Sequence, residues 1–168
     1  SLGYELSEME SVAGSQMGVA KAQARAVLAA TIDGMPFIRA GEESGLSPTE
    51  IQLQDKLDME STPLSGFYKR LFDIRHENEA LWNGIHGGQA KVIQSEMDNG
   101  VLAYHREKNG ESVLVLLNLS DSEQEITFDA QEIEGWYEEL FTGDELDLEG
   151  IYTEQLYPWG YRVYEIRH

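Results

Sequence analysis

The sequence predicts an α+β protein, in which a helical N-terminal part is followed by an antiparallel β-sandwich of Greek-key type. Apolar residues recur at helical spacing in the first half of the chain, but after Gly87-Gly88 they alternate or form short runs. The second half holds six short candidate strands separated by turn residues, a pattern typical of a sandwich. We therefore place a boundary near residues 83–90 and divide the chain into residues 1–86 and 87–168.

The first predicted helix begins at Gln16 and should end at Asp33-Gly34. Its apolar residues are spaced by three and four, Lys21 and Arg25 lie on another face, and the segment is rich in Ala, the best helix former. The apolar positions are Met17, Ala20, Ala24, Val27, Leu28 and Thr31.

Three more elements are predicted before the boundary. Met35–Ile38 is a short apolar run that predicts a buried strand with Pro36 at its start. Ser47–Glu50 has the capping-box pattern, with Pro at the first helical position, so a short helix should follow to about Leu57. A longer helix is predicted from Pro63 to about Leu81, with Thr62 as its N-cap. Its apolar stripe consists of Leu64, Phe67, Tyr68, Leu71, Ile74 and Leu81.

The second half is predicted to be β. Asn99-Gly100 and Asn109-Gly110 mark hairpin turns, because Asn and Gly tolerate the positive φ that such turns need. Val113–Leu117 is apolar on both faces and is therefore expected to be a central strand. The predicted strands are Ala90–Glu96, Val101–Glu107, Ser112–Leu119, Gln124–Phe128, Trp136–Phe141 and Tyr161–Ile166.

Composition excludes several classes of protein. The 168 residues include 12 Lys and Arg against 31 Asp and Glu, a net charge of −19, which argues against a nucleic-acid or basic membrane-surface protein. The absence of Cys excludes disulfides and thiolate metal sites. No apolar run approaches the roughly 20 residues of a membrane span, and no signal peptide is recognisable. We therefore expect a soluble chain with neither nucleic acid nor a membrane as partner.

The negative charge is concentrated in the second half. Residues 1–84 carry 7 basic and 13 acidic side chains, whereas residues 85–168 carry 5 and 18. Asp144, Asp147 and Glu149 could touch a calcium ion, but they lack the spaced loop pattern with its fixed Gly, so a solvated acidic loop is the preferred interpretation.

Four segments carry a resemblance by their motifs and their order: residues 33–43, 67–78, 101–120 and 157–161. Together they resemble the end of an α-amylase family (glycoside hydrolase family 13) enzyme. Residues 33–43 (DGMPFIRAGEE) resemble the eighth barrel strand of that family, and residues 67–78 (FYKRLFDIRHEN) resemble its eighth helix. Residues 101–120 are similar to the start of the family's C-terminal β domain, and residues 157–161 to the approach to its closing strand. The resemblance therefore implies that residues 1–86 are a helical remnant of a (β/α)8 barrel.

The resemblance also implies that the catalytic residues are absent. The family's Asp nucleophile, Glu acid/base and third Asp lie on barrel strands before the eighth, and the third belongs to a His-Asp motif. This chain has no His before His76 and no His-Asp pair, and it is shorter than a complete barrel of roughly 250 residues. Glu42 and Glu43 are adjacent, so in an extended segment they point to opposite faces and do not form the carboxylate pair of a retaining glycosidase.

Candidate site residues are consequently limited to sugar contacts. Glu42 and Glu43 fall where the barrel's C-terminal face would be, but binding to backbone amides or solvent is the preferred interpretation. Arg39 falls where the family usually has an aromatic or polar residue near the substrate cleft. Trp136 and Trp159 could stack on sugar rings together with Tyr137, Tyr157 and Tyr161, but core and interface packing is the preferred interpretation. His76 and His86 have no acidic partner at metal-binding spacing, so no metal and no cofactor is expected in this chain.

Three functions remain open. The first, which we favour, is the C-terminal piece of an α-glucan hydrolase, whose partner is the missing catalytic barrel and whose parent enzyme could bind calcium and be extracellular or periplasmic. The second is a stand-alone carbohydrate-binding module that binds α-glucan oligosaccharides, and the third is an interaction domain. Because an isolated barrel strand would expose both edges, residues 1–85 should either pack as helices on the sandwich, with residues 35–40 rearranged, or pair between chains.

Overall fold

The structure, a computed structural model, describes residues 18–32, 63–96 and 99–168. The predicted strand at 35–38, the predicted helix at 47–57 and the N-cap Thr62 lie outside the described residues. No helix in the described ranges has the length and apolar character needed to cross a membrane.

Both helices predicted within the described residues are present. Helix α1 occupies residues 18–31 and helix α2 occupies Pro63–Glu77. Helix α2 ends before the predicted Leu81, because Asn78 has an extended backbone and its side chain accepts a hydrogen bond from the Ala80 amide. This cap starts a separate 3-10 helix over Glu79–Leu81.

Within the described residues, eight strands form two antiparallel sheets. The first sheet has the order β1-β2-β3-β8-β5-β6 and the second pairs β4 with β7. The chain crosses to the second sheet as β4, returns as β5 and β6, crosses again as β7 and returns as β8, so the sandwich brings together segments that are distant in sequence. The strands are β1 Lys91–Glu96, β2 Val101–Lys108, β3 Glu111–Asn118, β4 Gln124–Asp129, β5 Gly135–Glu139, β6 Glu145–Leu148, β7 Ile151–Leu156 and β8 Tyr161–Ile166.

The hairpin turns and the central strand are confirmed. Asn109 and Gly110 have φ values of 52° and 85°, and Gly100 has 73°, as tight hairpin turns require. Strand β3 lies between β2 and β8 and is buried along almost its whole length. Its side chains alternate between two hydrophobic clusters, one on each face of the large sheet.

Two layers cover the large sheet. On one face, Leu114 and Leu116 pack against residues of the small sheet such as Ile126 and Phe128. On the other face, Val113, Val115 and Leu117 belong to the same cluster as residues of both helices. Helices α1 and α2 thus pack on the sandwich as expected, whereas the rearrangement expected of residues 35–40 lies outside the described residues, and the fold is α+β. The division between residues 86 and 87 stays a prediction, and in space the two parts share this core.

Strands β6 and β7 were not predicted from the sequence. The expected acidic loop is partly a strand, because Glu145 and Asp147 point to solvent while Leu148 is buried against the sandwich core. The prediction of a loop failed because acidic residues are rare in strands, and here they alternate with leucines on an exposed edge. Strand β5 also ends at Glu139 rather than Phe141, since the Glu139 carboxylate accepts the Phe141 and Thr142 amides and turns the chain.

Candidate functional site: the interface between the helices and the sheet

The five candidate sugar-contact residues divide into two groups. Arg39, Glu42 and Glu43 lie outside the described residues, so their roles stay predictions. Trp136 lies on β5 with 46% of its surface exposed, and its carbonyl accepts the Arg167 amide just after β8. Trp159 lies in the turn before β8, with a φ of 56°.

The two tryptophans do not form one platform. Strand β8 separates their positions, and its six residues span about 17 Å. The Trp159 ring packs beside helix α1, where the Lys21 ammonium lies 5.0 Å from the ring centre. Trp136 remains the more exposed of the two. Sugar contacts by either residue stay a prediction, while Trp159 clearly contributes to the interface between helix and sheet.

The apolar part of this interface is built by both helices. Ala24 and Val27 of α1 and Phe67, Leu71 and Ile74 of α2 are buried in one cluster with the sheet. From the sheet, Tyr104, Val113, Val115, Leu117 and Val163 complete the cluster. Each fully buried large side chain stabilises by about 1.5–3 kcal/mol relative to exposure, so the helices and the sheet stabilise one another.

An aromatic cluster joins helix α2 to strand β8 and to the loop that follows β5. The Phe67 ring stacks on Phe141 with 4.8 Å between ring centres, and Tyr161 lies 5.5 Å from Phe67 and 5.3 Å from Phe141. Beside it, the Arg70 guanidinium donates to the Leu140 carbonyl oxygen at 2.7 Å. Helix α2 is thereby held to the loop that follows β5.

A buried arginine of β2 connects all parts of the interface. Arg106 is 2% exposed, and its Nε donates to the Gly88 carbonyl oxygen at 2.7 Å. Its Nη1 donates to the Thr31 carbonyl oxygen at the end of α1 at 3.1 Å and, more weakly, to that of Leu81 at 3.4 Å. Its Nη2 donates to the Trp82 carbonyl oxygen at 2.8 Å. One guanidinium therefore satisfies carbonyl groups from α1, from the segment after α2 and from the entry to the sheet.

Gly87 and Gly88, in the segment between α2 and β1, lie so close to neighbouring backbone that no larger residue fits there. A Cβ atom on Gly87 would lie 1.7 Å from the Trp82 carbonyl oxygen, and one on Gly88 would lie 2.3 Å from that of Glu107. Gly87-Gly88, which marked the boundary in the sequence, therefore lets the backbone pass close enough to β2 for Arg106 to reach these carbonyls.

Two further polar contacts fix the helices on the sheet. The Thr31 hydroxyl donates to the Val27 carbonyl oxygen at 2.7 Å, so the buried Tyr104 hydroxyl donates to the Thr31 oxygen. Burial raises the pKa of Tyr104 and keeps this hydroxyl protonated. After α2, the Asn78 amide donates to the Glu165 carboxylate of β8 at 2.7 Å.

Three buried polar residues of the β domain were not predicted from the sequence. Arg106, Glu139 and Asn118 are at most 2% exposed. Asn118 donates to carbonyls of Ser122 and Tyr157 and accepts from Ser120, which fixes the crossing from β3 to β4 beside the crossing from β7 to β8. The available signal was a charged or amide residue in or at the end of an otherwise apolar strand, which predicts a paired buried group.

The described residues contain no metal site. No group of three or more His, Cys, Asp or Glu within the described ranges could hold a metal ion. His76 and His86 are exposed, as expected for ordinary surface residues. The prediction that the chain carries no cofactor stays a prediction.

Comparisons with known proteins agree with this architecture. Residues 90–163 match a family model described as "Maltogenic Amylase, C-terminal domain". The cyclomaltodextrinase of Thermoanaerobacter pseudethanolicus is 31% identical over 123 residues, which cover 70% of this chain and 20% of that enzyme. The chain thus spans about a fifth of the length of this curated relative.

Solved structures share the fold. AmyP in complex with maltose has a TM-score of 0.60 at 16% identity, with 86% of this chain and 34% of AmyP covered. An Anoxybacillus α-amylase has a TM-score of 0.53 at 18% identity, with 66% of this chain and 24% of that enzyme covered. The domain match, the enzyme relative and the common fold agree with the motifs in the sequence. Residues 90–163 therefore match the C-terminal domain of maltogenic amylases, and the chain is similar in sequence and fold to the C-terminal part of α-amylase family (glycoside hydrolase family 13) enzymes.

Proposed function

We propose that this chain serves a structural role in an α-glucan hydrolase: its β domain holds the helices that resemble the end of the catalytic barrel. The contacts of Arg106 carry this proposal, because one buried charge binds carbonyl groups of both helical segments and of the sheet entry. Its partner would be the catalytic barrel, and the missing catalytic carboxylates would lie there. The cyclomaltodextrinase relative supports an α-glucan as the substrate of the whole enzyme.

The first test is a direct assay of catalysis. The 168-residue chain should release no reducing sugar from starch or maltooligosaccharides, because the proposal places the catalytic carboxylates outside it. Measurable hydrolysis by the purified chain that persists after further purification would contradict the proposal.

The second test removes the buried charge. Arg106→Met should lower the free energy of unfolding by about 3 kcal/mol, because the Gly88, Thr31 and Trp82 carbonyls lose their donor while buried. Arg167→Met is the matched control, since Arg167 is half exposed and its pairs with Glu138 and Glu145 should contribute no more than about 1 kcal/mol. Urea unfolding measures both values, and equal losses in the two variants would contradict a special role for Arg106.

A stand-alone carbohydrate-binding module is the second candidate. The exposure of Trp136 favours it, because a half-exposed indole can stack on a sugar ring. In that case, maltooligosaccharide binding should be measurable by calorimetry and should disappear in Trp136→Ala. Binding that is unchanged in this variant would exclude Trp136 as the contact.

A further inference from the structure

Asparagine is followed directly by glycine at three places in the sequence, residues 83–84, 99–100 and 109–110. Such an asparagine can lose its side-chain amide, because the backbone nitrogen of the next residue attacks the side-chain carbonyl carbon and a glycine does not hinder the approach. The attack needs a side chain that rotates freely and a glycine whose backbone no neighbour holds in place. The three pairs differ in how well they meet these needs.

Asn83-Gly84, in the segment between α2 and β1, meets both needs. Both residues are exposed, and Asn83 has an extended backbone with φ −85° and ψ 150°. Within the described part of the chain, neither the Asn83 side chain nor the Gly84 amide forms a hydrogen bond. A Cβ atom built on Gly84 would meet no other atom within 4 Å, so there is open space around this peptide bond.

The two hairpin pairs are held in place. Asn109 has a φ of 52° in the turn between β2 and β3, and its side-chain amide donates to the Glu79 carboxylate at 2.6 Å. Rotation of the side chain towards the following glycine would break this charge-assisted bond. In the other pair, the Gly100 carbonyl oxygen accepts the Leu119 amide at 2.8 Å, and a Cβ on Gly100 would lie 3.1 Å from the Leu119 backbone. Asn83-Gly84 is therefore the pair with the least restraint.

We propose that Asn83 is the site at which the folded chain deamidates spontaneously. The Gly84 nitrogen forms a bond to the Asn83 side-chain carbonyl carbon, the bond from this carbon to the amide nitrogen breaks, and the Gly84 amide proton leaves with that nitrogen as ammonia. Water then opens the resulting succinimide ring at either carbonyl group and leaves aspartate or isoaspartate. Water is the only co-reactant, and nothing is oxidised or reduced.

The modified residue would lie between two contacts with β2. The Trp82 carbonyl oxygen accepts from Arg106 Nη2 at 2.8 Å, and the Ile85 carbonyl oxygen accepts from Lys108 Nζ at 3.0 Å. Isoaspartate adds a carbon atom to the main chain between these two carbonyls, whereas aspartate adds only a negative charge at an exposed position. The isoaspartate product should therefore loosen the attachment of this segment to the sheet. The modification site itself does not depend on the structural role proposed above.

The test is peptide mapping by mass spectrometry after incubation of the 168-residue chain in a mildly alkaline buffer. The peptide with Asn83 should convert first from amide to acid and should give two isomeric products that separate by chromatography. Asn109 should convert about tenfold more slowly, because its bond to Glu79 must break first. Conversion of Asn99 or Asn109 as fast as that of Asn83 would overturn the proposal.

The same incubation in concentrated guanidinium chloride separates the effect of the fold from that of local sequence. All three pairs should convert at similar rates there, and a persistent lead of Asn83 would overturn the structural argument. Asn83→Gln should remove the early conversion in the folded chain, because a longer side chain closes a less favourable ring. Asn109→Gly is the control, since glycine tolerates the positive φ, and it should leave the early conversion unchanged.

Urea unfolding of the separated products tests the consequence for the interface. The isoaspartate form should unfold at a lower urea concentration than the unmodified chain, whereas Asn83→Asp should keep the original midpoint. Equal midpoints for the isoaspartate form and the unmodified chain would overturn the expected loosening.

Discussion

At the scale of single residues, the fold depends on polar groups placed where they cannot be hydrated. Arg106, Glu139 and Asn118 each satisfy several backbone groups that the surrounding segments leave unpaired. Their residue types could be read from the sequence, but their partners could not. Arg106 and Thr31 are 75 positions apart, and local spacing carries no information about such a contact.

His105 makes stability depend on pH. Burial lowers the pKa of its imidazole, the Glu107 carboxylate opposes this shift and the Lys91 ammonium adds to it. The unfolded chain therefore binds a proton more readily than the folded chain once the pH falls below about 6.5. The contribution of neutral His105 to the free energy of unfolding should be fully present above that pH and should be lost progressively as the pH falls further.

Urea unfolding measured between pH 8 and pH 5 tests this prediction. His105→Gln should flatten the dependence in that window, whatever its effect on the midpoint. His76→Gln removes an exposed imidazole and should preserve the dependence. A wild-type stability that stays constant or rises as the pH falls from 7 to 5 would show that His105 does not act in this way.

At the scale of elements, the sequence was most informative where signals are local. The hairpin turns, the central strand β3 and both described helices follow from Asn-Gly pairs, a two-sided apolar run and helical spacing. Strands β6 and β7 were missed because acidic or polar residues make up half of each strand, and because β7 pairs with β4, which is distant in the sequence. The end of α2 shifted because the Asn78 cap overrides the apolar spacing that continues to Leu81.

Packing of α2 on the sheet should be energetically important. Leu71 is 1% exposed within the helix–sheet cluster, so Leu71→Ala should lower the free energy of unfolding by about 2–5 kcal/mol. Ile85→Ala provides the control, because Ile85 is 85% exposed and its truncation should change stability by no more than about 0.5 kcal/mol. Denaturant unfolding compares the two, and a loss below 1 kcal/mol for Leu71→Ala would mean that α2 is only loosely attached.

At the scale of the whole molecule, the charge of −19 opposes folding. Excess like charge destabilises a compact state through self-repulsion, and salt screens charges that are farther apart than about 10 Å at 0.1 M. The melting temperature should therefore rise by a few degrees between low salt and 0.15 M sodium chloride. Calorimetry measures this shift, and a fall in the melting temperature would indicate that attractive ion pairs dominate instead.

The same scale contains the central claim, that the helices and the β-sandwich form one structural unit. They share a hydrophobic core, a buried arginine and the Asn78–Glu165 contact, although sequence texture divides them near residue 86. Such sharing is what a β domain needs in order to stabilise the end of a catalytic barrel.

Native-state hydrogen exchange on the 168-residue chain tests this claim most directly, because it reports the opening free energy of each segment separately. If the claim holds, the slowest amides of α1, α2 and β3 exchange with the same free energy and respond together to added denaturant. If the helices instead open with a free energy several kcal/mol below that of β3, they are independent of the sandwich and the claim is contradicted.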